Sequence, residues 1–368
     1  MEFTTRRENF LTALQTATRF ISSKPQLPIL NSFLLEITKE NIATLSATDL
    51  QLGIKITFAV TTAQPGEIVI PAKLLTEVIA ASSAGEIICS LAGSRFSVKT
   101  NTTKAHFQTT PAEEYPVFPK QEGEVVQLPK LFFSEIDKQI VFATSKDETR
   151  PVLTGVYLQI NEVLEAAATD GYRLALFRQP FVTSKNSTIL FPARAIQEIS
   201  RLLEKVTSAN VDFYFSSDLK QAFFRFDNSE MVVRTLDGNF PTYNKIIPRD
   251  FQTTVLMDKQ ELEHQVKTAL LFSRDISSVL KMTLENTSCT ITAGAGTTGE
   301  YEAQVEISEK VPEKKQIAFN GKFVLDILQR IRTKEISFQM NDEMKPGVFS
   351  EVGNDQLLYV VMPFRLNS

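Results

Sequence analysis

"RPVLTGVYLQINEVLEAAATDGYRLALF" (residues 150–177) has two echoes in the same chain, and a repeated unit constrains architecture more than any single motif. "LPILNSFLLEITKENIATLSATDLQLGIKI" (27–56) is the stronger echo and "SSVLKMTLENTSCTITAGAGTTGEYEAQVEI" (277–307) the weaker. Each copy alternates apolar and polar residues through two segments joined by a polar turn. It then reaches a corner of small residues and leaves as a third alternating segment, the pattern of strands with one buried face. The corners are Ala47-Thr48-Asp49, Ala168-Thr169-Asp170 and Thr292-Ala293-Gly294.

The correspondence continues downstream. "IVIPAKLLTEVIAAS" (68–82), "TILFPARAIQEISRLLEK" (188–205) and "KQIAFNGKFVLDILQRIR" (315–332) each read as a strand, a turn and an amphipathic helix. In the middle copy Ile196, Ile199, Leu202 and Leu203 form the apolar face. Each copy also opens on a helix, with apolar faces at Phe10, Leu11, Leu14 and Ile21, at Phe132, Phe133, Ile136 and Ile140, and at Leu262, Val266, Leu270 and Leu271. "EEYPVFP" (113–119) and "GNFPTYNKIIP" (238–248) close the first two copies, and the third stops at "YVVMPFRL" (359–366). The reading is α+β: three similar domains at 1–119, 128–248 and 255–368, joined by the polar connectors 120–127 and 249–255.

Several function classes lose ground at once. With 43% hydrophobic and 22% charged residues the composition is that of a globular protein, and no apolar run reaches the length of a membrane span. "MEFTTRRENF" is too polar for a signal peptide, so the expectation is a cytoplasmic protein without a membrane partner. Cys89 and Cys289 sit in alternating apolar segments and read as reduced core thiols. His106 and His264 lack Cys or carboxylate neighbours at metal spacing, and no Walker A, G-x-S-x-G or H-E-x-x-H sequence occurs. The expectation is no enzyme, no metal and no cofactor.

One motif argues otherwise. Gly294-Ala295-Gly296-Thr297-Thr298-Gly299 fits G-x-G-x-x-G letter for letter, but a dinucleotide site needs a helix after the glycines. Here Tyr301, Ala303, Val305 and Ile307 alternate with Glu302, Gln304 and Glu306, so a second strand follows and the glycines serve a tight hairpin.

Charge is unevenly distributed. The chain carries a formal −4, yet the six helical windows 6–24, 72–82, 130–150, 193–205, 259–274 and 322–334 hold 19 Lys and Arg against 11 Asp and Glu. Glu is as good a helix former as Lys or Arg, so helix propensity alone does not produce this bias. Much of it comes from Arg6, Arg7, Arg19 and Lys24, and from Lys322, Arg330, Arg332 and Lys334. A polyanion contacted through its phosphates is their natural partner.

"LPIL" after a basic-Pro pair, "ATDGYRLA", "LDGNFPTY", "FNGKFVLDIL" and "YVVMPFRL" stand in an order similar to the landmarks of the bacterial DNA polymerase III β subunits, the sliding clamps. The resemblance covers the whole chain. It implies a head-to-tail homodimer of three-domain chains in the DNA clamp fold, closed into a ring around double-stranded DNA with sheets outside and helices inside. Twelve helices ~10 Å apart would leave a lumen of about 28 Å, wide enough for duplex DNA and water.

The resemblance also implies residues. Lys24, Lys73, Arg150, Arg194, Arg201 and Lys205 match DNA-facing basic positions, with Asp147 and Glu148 opposing the attraction in "SKDETRP". The replicative polymerase, the clamp loader and other replication and repair proteins would dock short extended peptides between the second and third domains. The matching positions are Leu153, Thr169, Gly171, Tyr172, Arg173, Leu174, Pro241, Lys245, Ile246, Asn320, Phe323, Met344, Pro346, Val360, Val361, Met362, Pro363, Phe364, Arg365 and Leu366.

Overall fold

A computed structural model of the chain describes residues 1–22, 27–121, 124–216, 218–273, 278–296 and 299–365. Its elements fall into three parallel series. The first runs from strand Glu2–Arg6 into α1 (Arg7–Ala17), through strands Ser32–Ile37, Ile42–Thr48, Leu52–Ala59 and Gly66–Pro71, into α2 (Ala72–Ala81) and three further strands. The second runs from Val126–Pro129 into α3 (Lys130–Gln139), through Gly155–Ile160, Val163–Thr169, Arg173–Pro180 and Ser187–Pro192, into α4 (Ala193–Leu203) and three more. The third runs from Thr253–Asp258 through α5 (Lys259–Phe272), the strands Val279–Gly296 and Gly299–Asn320, and α6 (Gly321–Leu328) to its last three strands.

Two details differ from the sequence expectation. Each series opens on a short strand rather than a helix, and Val126 and Thr253 already lie in strands where polar connectors were read. In the third series the four strands of the earlier copies are fused into one long hairpin. Residues 279–284 pair with 315–320 and residues 288–296 with 299–306, with register shifts around Asn286. Such bulges let one pair of strands bend where the other copies turn.

The chain forms two compact units, Met1–Lys130 with Arg201–Thr235, and Leu131–Ser200 with Leu236–Ser368. Each contains an eight-stranded sheet whose centre joins strands distant in sequence. In the first unit Ser229–Arg234 pairs with Leu52–Ala59, and in the second Arg173–Pro180 pairs with Leu357–Val361, both antiparallel.

The helices bury the stripes that their 3.6-residue period dictates. Phe10 and Leu14 of α1, Phe132, Phe133 and Ile136 of α3, and Ile196, Ile199 and Leu203 of α4 are enclosed, while Leu11, Ile21 and Leu202 are half-buried. In α5 the inward stripe is Leu262, Val266 and Ala269, and Leu271 is exposed, contrary to expectation. Leu271, two residues beyond Ala269, lies nearly opposite it on the helix. Asp258 caps α5 by accepting a hydrogen bond from the Glu261 N–H at 2.9 Å.

The 294–299 motif is a hairpin, with Gly296 opposite Gly299. Gly294 has φ +83°, and a Cβ there would meet the Gly299 carbonyl oxygen at 2.4 Å. Gly299 takes φ +120°, so both Gly294 and Gly299 hold backbone conformations that favour glycine. No groups of metal-ligating side chains occur among the described residues, and no helix of the described residues is long and apolar enough to cross a membrane. His106 lies on an exposed strand with Nδ1 at 2.8 Å from Ser97 Oγ, and His264 is exposed on α5.

Cys89 and Cys289 are free and buried. Burial raises both thiols, Cys289 to about 12, because a thiolate would lose its water. Neither is ionised near neutral pH. At pH 8 the native protein is expected to resist iodoacetamide at both positions and to react at both in denaturant, as read by intact mass.

Candidate functional site

In the second unit, the turn between Val163–Thr169 and Arg173–Pro180 carries much of the expected site. Asp170 Oδ1 accepts from the Tyr172 and Arg173 N–H groups at 2.9 and 3.0 Å. Thr169 Oγ1 donates to the Arg173 carbonyl at 2.6 Å and accepts from the Gly171 N–H at 3.0 Å. Gly171 takes φ +92°, which closes the turn at little steric cost. Leu153 is buried nearby in sequence, in the short helical turn Pro151–Leu153.

Beyond the turn, Leu174 stands opposite Val360, and the Met362 N–H donates to the Tyr172 carbonyl at 2.8 Å. Leu174 and Val360 belong to a buried cluster with Ala167, Leu176, Tyr243 and Val348, flanked by Tyr157, Phe240, Ile247, Phe251 and Leu358. Three aromatic rings brace it. Tyr157 stacks on Phe240 at 5.2 Å between centroids, and Tyr243 meets both edge-on at 5.9 Å. The Tyr243 hydroxyl donates to Glu165, which also pairs with Arg178. Burial and the Glu165 carboxylate push the Tyr243 hydroxyl up, so it remains a donor.

Arg173 fastens the turn to α6. Its guanidinium bonds Asp170 Oδ2 at 3.0 Å, Asp326 Oδ2 at 2.5 Å and the Phe142 carbonyl at 2.8 Å. The same group lies 5.1 Å from the Phe142 ring centroid and 4.7 Å from that of Phe323. Tyr172, 60% exposed, stacks on Phe323 at 6.4 Å. Asn320 caps α6 through the Lys322 N–H at 3.0 Å.

Met344, Phe364 and Arg365 line a separate hollow of about 100 Å³ with Gln316 and Ala318. The Phe364 N–H donates to the Ala318 carbonyl at 2.7 Å. Residues 362–365 are therefore tied to the fold at Met362 and Phe364. Val361 is buried opposite Arg173 and Gly347, and Pro346 and Pro363 are half-buried. Pro241, Lys245 and Ile246 are exposed, and the isoleucine packed on the cluster is Ile247. Leu366 lies outside the described residues. Sequence reading missed Ile247, Tyr243 and Val348; the helical turn Tyr243–Lys245 is what rotates Ile247 inward.

The basic positions divide. Lys24 lies outside the described residues. Lys73 is exposed on α2, Arg201 is exposed on α4 and Lys205 just beyond it, and Arg194 is half-buried. Arg150 pairs with Asp147 at 3.2 Å, and hydrogen bonds from Thr149 and Arg150 hold that carboxyl below the usual range. Three cations that sequence alone assigned to a polyanion are used internally. Arg7 donates to the Ile79 and Ala80 carbonyls at the end of α2, at 3.2 and 2.6 Å. Arg332 pairs with Glu135, and Arg330 lies 5.4 Å from the Phe142 ring centroid.

A three-fold repeated α+β chain whose turns are set against the last strand of the neighbouring repeat has the architecture of the clamp class. The comparisons make the class specific. Domain families described as the N-terminal, central and C-terminal domains of the DNA polymerase III beta subunit match residues 1–119, 127–242 and 244–365. The beta sliding clamp of Synechocystis sp. is 29% identical over all of both chains, and that of Staphylococcus aureus 26% over 99% of each. The crystal structure of the beta subunit from Thermotoga maritima superposes with TM-score 0.91 at 26% identity, covering all of both chains. The Pseudomonas aeruginosa sliding clamp bound to griselimycin does so with TM-score 0.93, also at 26% identity and full coverage. The chain belongs to the DNA polymerase III beta subunit family and has its three-domain α+β clamp fold.

The Arg173 arrangement is largely enclosed, and removing one partner of such a set leaves the others uncompensated. Arg173→Ala is expected to lower the stability of the second unit by about 3 kcal/mol in urea denaturation. Asp147→Ala, which breaks only the exposed pair with Arg150, is expected to leave the midpoint unchanged.

Proposed function

We propose that this chain is a processivity factor, two copies of which close head to tail into a ring around duplex DNA. It holds the replicative polymerase there, and the clamp loader and other replication and repair proteins use the same cleft. It performs no chemistry of its own and works in the cytoplasm. The observation that carries the reading is the capped turn 169–173 against Leu357–Val361. It places the exposed Tyr172 and Met362 beside the Leu174–Val360 cluster. A few such anchors supply most of the affinity for a short peptide.

Arg194, Arg201 and Lys205, on and just beyond α4, favour loose phosphate contact. Lys73 does the same on α2, and a ring with no base readout slides. The domains concerned are 1–119, 128–248 and 255–368, with contacts between copies at the free edges of the first and third.

Three measurements test this. Loaded onto nicked circular DNA with a clamp loader and ATP, the protein is expected to stay bound until the DNA is linearised; equal retention on both forms would rule out a closed ring. Arg201→Glu with Lys205→Glu is expected to weaken loading at low salt whatever the DNA sequence. In the cleft, Met362→Asp is expected to weaken a polymerase-derived peptide about thirtyfold, or ~2 kcal/mol, with the dimer and its melting temperature unchanged. Unaltered peptide affinity would place the docking site elsewhere.

A further inference from the structure

The first unit contains the same junction as the candidate cleft, built atom for atom on the other repeat. Asp49 Oδ1 accepts from the Gln51 and Leu52 N–H groups at 3.0 and 2.7 Å, as Asp170 does for Tyr172 and Arg173. Thr48 Oγ1 donates to the Leu52 carbonyl at 2.9 Å, as Thr169 does to Arg173. The Arg234 N–H donates to the Gln51 carbonyl at 2.8 Å, matching Met362 and Tyr172. Gly53 faces Val232 where Leu174 faces Val360.

The side chains differ systematically. Gly53 replaces Leu174, and the Phe118 ring occupies the space, 2.8 Å from where a Cβ on residue 53 would be. Arg234 replaces Met362. Leu50 replaces Gly171 and keeps a positive φ, +71°, with its side chain half exposed. A leucine held in the left-handed region costs free energy that glycine would not. Around these residues lies a hollow of about 140 Å³, lined among others by Leu50, Pro116, Val117, Phe118 and Val232. Val117 is 94% exposed.

Two polar groups specify what fits. Arg234 is the one charged residue lining the hollow, and its side chain has no ion pair among the described residues. Gln221 Oε1, also in the lining, is buried without a hydrogen-bond partner among the described residues. An orphaned acceptor calls for an N–H donor, and an unpaired guanidinium calls for a carboxylate.

We propose that this hollow is a second peptide-docking site, taking an extended acidic segment whose apolar side chain sits between Leu50, Val117 and Phe118 while its carboxylate meets Arg234. A backbone N–H of the same segment would satisfy Gln221. The inference rests on reading the Leu174–Val360 junction as a peptide cleft, and differs from it in charge: the first cleft presents Met362 where the second presents Arg234.

The test is photo-crosslinking of the full-length chain with a blocked peptide alternating leucine and aspartate, one leucine replaced by a diazirine analogue, with sites mapped by mass spectrometry. Crosslinks are expected in residues 48–53 or 116–119. Arg234→Glu is expected to reduce them about tenfold, and Met362→Asp to leave them intact. Leu50→Gly is expected to reduce them while maintaining or raising the melting temperature, a pairing of effects that a purely structural leucine would not give. Absence of these crosslinks at millimolar peptide, equal labelling by a leucine–lysine peptide, or insensitivity to Arg234→Glu would each overturn the proposal. So would displacement of the peptide by a short oligonucleotide, which would assign the hollow to nucleic acid. Crosslinks near Met344 or Met362 report the first cleft separately, so its failure and that of the second site are distinguishable.

Discussion

Antiparallel pairing between strands of different repeats is the constraint on which the rest depends. Arg173–Phe177 against Leu357–Val361, and Leu52–Ile56 against Ser229–Val233, turn four-stranded halves into eight-stranded sheets. Each pairing removes two sheet edges that would otherwise present unpaired N–H and C=O groups. It also fixes where a turn meets the last strand of the neighbouring repeat, which is where the Leu174–Val360 cluster and the hollow at Leu50 and Arg234 occur. At such a join the side chains of two segments meet on one face, and their identities can change without altering the backbone that carries them.

The electrostatics follow the same division between scaffold and surface. Arg7 and Arg332 carry positive charge expected of a polyanion-binding face, yet each is committed to carbonyls or carboxylates inside its own unit, as Arg173 of the docking turn also is. Such groups contribute to the order of the protein and little to attraction at a distance. Arg201 and Lys205 are exposed, so their charge lies at the surface, where it is screened by salt. A count of basic residues in helical windows therefore overstates the surface charge, because guanidinium groups are also the usual means of closing carbonyl-rich helix ends.

The repeat, the six helices and the hairpin nature of the 294–299 motif were legible because each rests on local periodicity. Segments such as Glu2–Arg6 and Val126–Pro129, four or five residues long, were not, since so short a run shows no clear alternation. Fusion of four strands into the 279–320 hairpin was hidden because a bulge at Asn286 leaves the apolar pattern nearly unchanged. In the candidate cleft, the turn residues Thr169 to Leu174 could be placed by resemblance. Whether Ile246 or Ile247 faced the cluster depended on one helical turn, and both are apolar. The contact of Phe118 with Gly53 spans 65 residues and has no periodic signature at all.

The strand Leu357–Val361 lies in the middle of its sheet yet is made about 180 residues after the strand it completes. At ~5–20 residues per second, the edge at Arg173–Phe177 stands unpaired for roughly 10–40 s during synthesis. Leu174, Ala175, Leu176 and Phe177 form an apolar run on that edge, and open edges of this kind pair with whatever strand is near. The nascent chain thus exposes, while about 180 further residues are made, the same edge that Leu357–Val361 later closes, and whatever shields that edge in the interval limits its pairing with other strands.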